Sequence, residues 1–330
     1  LAAAGATAVS IGTDSGDSVR KPAAYNGIIG VKPTYGRISR YGIIPYASSL
    51  DHVGYFTTNV EDACTMLEVL AGRDDRDMTS SLRPVEAYRD HLNSDLRGKV
   101  IGVLENVQEV IRDQAIRDNV EALCEKLAAR GALIRRVRMP QELMETILPV
   151  YLTIANAEAT ANHSNLDGIR FGMREDGESV EEVMKNSRTK GFSAYVRKRF
   201  IIGSYSLFVE NQDKLFRKAQ KIRRLLVDHY RALFAECDCI LASAAPTVAP
   251  LEDEASDEAL GKEHLVADNH MQLGNFSGYP SMTLPSGFVD GLPIGVNITC
   301  RPFEEQMMFD IAKAIEEETG LADHTVEVKA

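Results

Sequence analysis

Two apolar runs flanking one helical pattern do most to limit the fold. Lys99-Val100-Ile101-Gly102-Val103-Leu104 has the length and β-branched content of a buried strand. Residues 113–130 then carry an amphipathic spacing that Gly131 closes, and Ala132 to Val137 is a second strand. Strand, helix and strand in that order form a β-α-β unit, because the crossover returns the chain to the end of the sheet from which it left. The two strands are therefore parallel and the fold class is α/β.

Further elements follow along the chain. Asn59 is a capping residue, Glu61 and Asp62 suit a first helical turn, and an apolar stripe from Ala63 to Leu70 ends before Gly72, which predicts a helix over 60–71. Residues 143–163, 179–190 and 212–235 are expected to be helices, Cys239 to Ala242 a core strand, and Glu304 to Glu318 a closing helix ended by Gly320. Ser281 to Leu284 and Ile294 to Thr299 read as paired strands around Asp290-Gly291, a sequence that favours the positive φ angles of a tight hairpin. Ala6 to Ile11 reads as a short buried strand, and Leu251 to Gly261 as an exposed acidic loop. With 330 residues and 44% hydrophobic content the chain can bury a large core, and no linker interrupts it, so one domain over 1–330 is expected.

Charge and cysteine content narrow the function classes. A net charge of −11 disfavours a nucleic-acid surface belonging to this chain alone, since phosphate binding rests on Lys and Arg. The basic run Arg217 to Arg224 reads as the solvated side of a helix whose other side carries Leu215, Ile222, Leu225 and Leu226. Cys64, Cys124, Cys237, Cys239 and Cys300 are scattered and odd in number, the pattern of reduced thiols in a cytoplasm. No two histidines stand at metal-ligand spacing with a suitable carboxylate.

The chemistry is expected in Gly12-Thr13-Asp14-Ser15-Gly16-Asp17-Ser18-Val19-Arg20-Lys21-Pro22-Ala23-Ala24. Small residues after a strand let the backbone turn with its amides facing inward, and a serine beside such amides is what acyl transfer requires. On local pattern alone, Gly-Asp-Ser-Val is more often an ordinary turn than a nucleophile. A serine-histidine-aspartate hydrolase would need one of the seven histidines near Ser18, and no G-x-S-x-G pentapeptide is present to place the nucleophile. Lys21 and Lys32, close by in sequence, read as surface charges.

The run from Ser18 to Arg37, together with Ser48-Ser49-Leu50-Asp51-His52-Val53-Gly54, resembles the amidase signature family. Glu158-Ala159-Thr160-Ala161-Asn162, Leu166 to Gly172, Ser187 to Phe192 and Lys198 to Gly203 are similar to the branch whose members supply ammonia to tRNA-dependent amidotransferases. The resemblance implies a mixed β-sheet core covered by helices on both sides. It also implies Ser18 as nucleophile, amides around Ser15, Gly16 and Asp17 as the oxyanion loop, Arg199 on the carboxylate of glutamine, Asp268 on its ammonium, and Tyr151 on the pocket wall. No cofactor is implied for this chain. ATP and magnesium would belong to a partner B subunit, which would also take most of the aminoacyl-tRNA contact, and a small C subunit would join the pair.

The family's second serine and its lysine lie upstream of the matched blocks, so the chain is expected to be the C-terminal portion of a longer protein and inactive alone. Two departures stand out. Asp17 occupies a position usually held by glycine, which would place a Cβ at a position suited to positive φ and a charge beside the oxyanion. Phe208-Val209-Glu210-Asn211-Gln212-Asp213 replaces a serine-glycine-tyrosine segment.

Overall fold

Eight strands make one open mixed sheet in the computed structural model, which describes residues 1–251 and 262–326. They are β1 (Ser10–Asp14), β2 (Ile29–Lys32), β3 (His52–Thr57), β4 (Val100–Leu104), β5 (Leu133–Val137), β6 (Cys239–Ser243), β7 (Ser281–Val289) and β8 (Leu292–Cys300). Their order across the sheet is β1-β3-β2-β7-β8-β6-β4-β5. The expected β-α-β unit is present: β4 pairs parallel with β5, and also with β6, whereas the remaining pairs are antiparallel. The β7–β8 hairpin turns at Asp290 (φ 51°) and Gly291 (φ 78°), as the Asp-Gly pair predicts.

The helices are α1 (Arg20–Asn26), α2 (Val60–Leu70), α3 (Glu105–Gln108), α4 (Gln114–Ala129), α5 (Gln141–Met144), α6 (Ile147–Asn162), α7 (Val180–Gly191), α8 (Ala194–Leu207), α9 (Phe216–Leu233), α10 (Gln272–Ser277) and α11 (Glu305–Thr319). They fall into two compact units. The larger holds Leu1–Gly42, His52–Leu148 and the chain from Leu225 onward; the smaller holds Ile43–Asp51 and Pro149–Arg224.

In the larger unit the period-two alternation of the strands sorts side chains onto two unlike faces. Val31, Met282, Leu284, Val296 and Ile298 point into one apolar core with Leu67 of α2, Leu127 of α4 and Phe309 and Ile315 of α11. Each such buried side chain contributes about 1.5–3 kcal/mol of transfer free energy. The alternate residues, Gly30, Ser281, Thr283, Gly295, Asn297 and Thr299, face the other way. They meet α1 and a buried polar network in which Ser281 Oγ donates to Asn297 Oδ1 at 3.0 Å and Asn297 Nδ2 donates to Thr283 Oγ1 at 3.0 Å. Gly30 allows the closest approach: a Cβ there would lie 2.6 Å from Ala23 Cβ and 2.7 Å from the Val19 carbonyl. Helix α1 and the turn before it can therefore sit directly on the sheet.

The smaller unit is helical, and the sequence blocks in it hold one another. Gly203 of α8 lies against the Asn156 carbonyl and Thr160 Oγ1 of α6, closer than any side chain at 203 would permit. Glu158 accepts from the Ser49 amide (2.9 Å) and hydroxyl (2.6 Å), and Arg223 donates to Ser49 Oγ (2.8 Å) and carbonyl (3.0 Å). Asn162 Nδ2 donates to the Tyr46 carbonyl and Ser48 Oγ. Arg188 stacks on Phe192 and Phe200 and donates to the carbonyls of His163 and Leu166.

Several expectations need correction. The first strand is Ser10–Asp14, not Ala6–Ile11, because antiparallel pairing with β3 sets the register from Ser10 opposite Phe56 to Asp14 opposite His52. The alanine-rich residues before it make turns instead, with Gly5 at φ 66°. Helix α9 buries Ala219, Leu226 and Tyr230, but Leu225 is half exposed. Helix α8 is not foreshadowed by a clean apolar stripe, since charged and apolar residues are interleaved along it. The acidic loop expected over 251–261 lies, beyond Leu251, outside the described residues.

Candidate active site

In the larger unit the segment from Asp14 to Arg20 is a clasp closed at both ends. Asp14 ends β1 fully buried. Its carboxylate accepts from the Val19 amide at 3.1 Å, from Arg20 Nε and Nη2 at 3.0 Å each, and from Asn275 Nδ2 at 2.9 Å. Burial alone would push this carboxyl up; the Arg20 charge and the hydrogen bonds from Arg20 and Asn275 outweigh it and hold the group well below the usual carboxylate range. Arg20, also fully buried, donates further to the carbonyls of Gly16 (2.8 Å) and Met271 (2.8 Å), to Ser281 Oγ (3.2 Å) and to Asn275 Oδ1 (2.6 Å). One guanidinium thus fixes the loop to α10 and to β7, using the planar fork that lysine lacks.

Ser18 stands exposed on this clasp, directly before the buried Val19 and Arg20. The amides of Gly16 and Asp17 donate to no described residue. Neither residue has a positive φ, so the expected strain at Asp17 is absent: the loop takes ordinary backbone conformations that a Cβ tolerates. The carboxylate of Asp17 is matched as well. Lys21 Nζ lies 2.7 Å from Asp17 Oδ2 and 2.9 Å from Asp268 Oδ1, and donates to the Asp268 carbonyl at 2.5 Å. The other Asp268 oxygen is 3.1 Å from His264 Nδ1, on a π-helical turn over Glu263–Ala267. Burial opposes the charge on Lys21, yet Asp17 and Asp268 outweigh it and raise its pKa above the normal lysine range.

The surface roles expected for Lys21 and Lys32 are therefore wrong. Lys21 is mostly buried between two carboxylates, and Lys32 is fully buried in β2, donating to the Tyr279 carbonyl at 2.6 Å. Burial, with the Arg20 charge added, pushes Lys32 well below its usual pKa. Deeper still, His270 is lowered to about 4 by burial and hydrogen-bonds the Ala267 carbonyl through Nδ1 at 2.9 Å.

In the smaller unit Arg199 is gripped by two phenols. Its Nη1 donates to Tyr46 Oη at 2.6 Å and its Nη2 to Tyr195 Oη at 2.7 Å, and the guanidinium stacks 4.6 Å from the Tyr195 ring centroid. Burial raises the pKa of Tyr46 against the opposing charge of Arg199, so its hydroxyl stays protonated. Tyr151 lies on α6, half-buried. Of the residues singled out from sequence, Ser15, Gly16, Asp17, Ser18 and Asp268 fall in the larger unit, and Tyr151 and Arg199 in the smaller. Sequence reading missed the Asp14–Arg20 clasp, the Lys21 bridge and the two tyrosines on Arg199. An Asp and an Arg six residues apart around a small-residue turn was the available signal for the first; Asp17–Lys21 and Tyr195–Arg199 stand at a helical spacing of four, whereas the contacts of Lys21 with Asp268 and of Arg199 with Tyr46 join residues far apart in sequence.

Comparison with known proteins places the geometry in context. The Amidase family model matches residues 1–309. The A subunit of glutamyl-tRNA(Gln) amidotransferase from Koribacter versatilis is 39% identical over 318 residues, which are 96% of this chain and 65% of that protein. The solved A subunit of glutamyl-tRNA(Gln) amidotransferase from Thermotoga maritima superimposes with a TM-score of 0.79 at 31% identity, covering 99% of this chain and 67% of that one. Native peptide amidase from Stenotrophomonas maltophilia has a TM-score of 0.80 at 25% identity, covering 99% of this chain and 66% of that one. The chain thus spans about two thirds of the length of the relatives it matches.

Proposed function

The chain belongs to the amidase signature family, and we propose that within it this is the glutaminase portion of a tRNA-dependent amidotransferase. The observation that carries the reading is the similarity, at 35–39% identity over some 95% of the chain, to the A subunits of glutamyl-tRNA(Gln) amidotransferases. The exposed Ser18 on its clasped loop supports it. In this reading both units form one amidase domain over 1–330, working in a cytoplasm.

Ser18 Oγ attacks the side-chain carboxamide of glutamine, forming the C–O bond of a tetrahedral intermediate whose oxyanion is held by amides around Ser15, Gly16 and Asp17. Collapse breaks the C–N bond, the proton taken from Ser18 leaves on ammonia, and water then hydrolyses the acyl-enzyme to glutamate. The serine and lysine that relay the proton in this reading are not among residues 1–330, and Lys21, held charged by two carboxylates, is no substitute for a neutral base. This chain by itself is therefore expected to be inactive. Arg199 takes the glutamine carboxylate, Asp268 its ammonium and Tyr151 the pocket wall. The ammonia passes to a B subunit that uses ATP and magnesium to amidate glutamyl-tRNA(Gln), or aspartyl-tRNA(Asn), with a C subunit completing the heterotrimer.

The test is glutamine hydrolysis by the full-length gene product assembled with its B and C subunits. Turnover that disappears in Ser18→Ala supports the assignment; turnover that survives it refutes Ser18 as nucleophile. A second reading, a stand-alone amidase acting on another small amide, draws on one observation: an internal ammonium, that of Lys21, already sits on Asp268. Turnover of other amides without partner subunits favours that reading. Assembly with no turnover at all favours a third, a family member kept as a binding partner.

A further inference from the structure

Lys21 follows Ser18 by three residues and uses its ammonium fully. It faces Asp17 Oδ2 at 2.7 Å and Asp268 Oδ1 at 2.9 Å, and donates to the Asp268 carbonyl at 2.5 Å, with only 16% of its side chain exposed. Asp17 directly precedes Ser18. Left uncompensated, its carboxylate would set a negative charge beside the place where the oxyanion develops, and would repel Asp268 as well. His264 Nδ1, 3.1 Å from the second Asp268 oxygen, fixes that carboxylate from the other side.

We propose that Lys21 keeps the Ser18 loop competent as its positioning residue: its ammonium, itself held in place by Asp268, neutralises Asp17, so that Asp17 and Lys21 act as one unit. The proposal rests on the reading of Ser18 as nucleophile. It explains how a loop with a carboxylate next to its serine can remain competent. The aspartate is harmful only when its lysine is missing, and removing both restores a neutral loop. It assigns no proton transfer to Lys21, which has no acceptor lone pair while charged.

The experiment measures kcat and KM for amide hydrolysis in the full-length product assembled with its partner subunits, alongside thermal unfolding of each variant. Lys21→Met is expected to lower kcat by roughly ten- to a hundred-fold. Asp17→Asn combined with Lys21→Met is expected to recover to within about three-fold of Asp17→Asn alone, and Lys21→Arg to keep most of kcat, because charge rather than shape is required. A double variant as slow as Lys21→Met overturns the proposal, as does equal loss in Lys21→Arg and Lys21→Met, or no loss in either. Should Lys21→Met fail to fold, the comparison of Lys21→Arg with the double variant still decides it. Ser18→Ala separates the two levels: if it keeps turnover the nucleophile reading fails, and if it abolishes turnover while Lys21→Met does not, only the Lys21 proposal fails.

Discussion

Replacing Asp14 by asparagine tests the clasp most directly. The substitution keeps the shape of the side chain and removes one charge. In the parent, the carboxylate takes two bonds from Arg20, one from the Val19 amide and one from Asn275, with no solvent exposure of either ion. An asparagine can offer one oxygen only; its amide would point hydrogen either at Arg20 Nε and the Val19 amide, or at Arg20 Nη2 and Asn275 Nδ2. Losing one charge-assisted bond costs about 1.5–3 kcal/mol. Arg20 would then be a buried cation beside Lys32 without its counter-ion, and breaking a buried pair in this way costs about 3–5 kcal/mol in all. The assay is urea unfolding followed by circular dichroism, with Asp14→Asn compared with Asp14→Asn combined with Arg20→Gln. The single variant should lose about 3–5 kcal/mol and the double should lie no lower, because the unpaired charge has gone. A single variant within about 1 kcal/mol of the parent would show that the clasp is not held by this ion pair.

Acid should reach the same group. Because the folded carboxyl of Asp14 is depressed, its stabilisation is present above the unfolded pKa of about 3.9 and is lost as pH falls below it. Stability measured from pH 5 downward should therefore decline through that range in the parent and more weakly in the variant lacking both Asp14 and Arg20. Gly203→Val should destabilise the smaller unit by about 1–3 kcal/mol, since α6 and α8 must separate, and weaken the protection of α8 amides in hydrogen exchange; unchanged protection would refute that packing. The five cysteines are buried, with burial pushing Cys64 and Cys237 up to about 12 and Cys124 up to about 11. Native protein should thus titrate no fast-reacting thiol with a disulfide reagent, and denatured protein five.

What the chain's order revealed and what it hid divide along contact range. The β4–α4–β5 unit and the β7–β8 hairpin were legible because each is written within about 40 residues, in apolar period and turn chemistry. The first strand was misplaced because alanine runs carry little strand signal and its register comes from β3, some 40 residues later. The expectation for Ser18 came from its loop, whose neighbours Asp17 and Lys21 were visible as residues but not as a pair. Helical spacing of four suits such a pair, yet Lys21 also needed Asp268, which local sequence cannot place. Arg199 was singled out by resemblance, whereas Tyr46, which orients it, lies 153 positions away.

The Arg20 network also sets a timetable for synthesis. Its partners Asn275 and Ser281 lie 255 and 261 positions further along the chain. When the ribosome has made the serine loop, only the contacts within residues 14–20 exist to hold it, and those to α10 and β7 do not. Closing so long a loop is entropically costly and slow, and the gain arrives only with α10 and β7. A nascent chain stalled before residue 275 would carry Asp14, Ser18 and Arg20 in an incompletely held turn, so Ser18 acquires its full setting only when most of this chain has emerged.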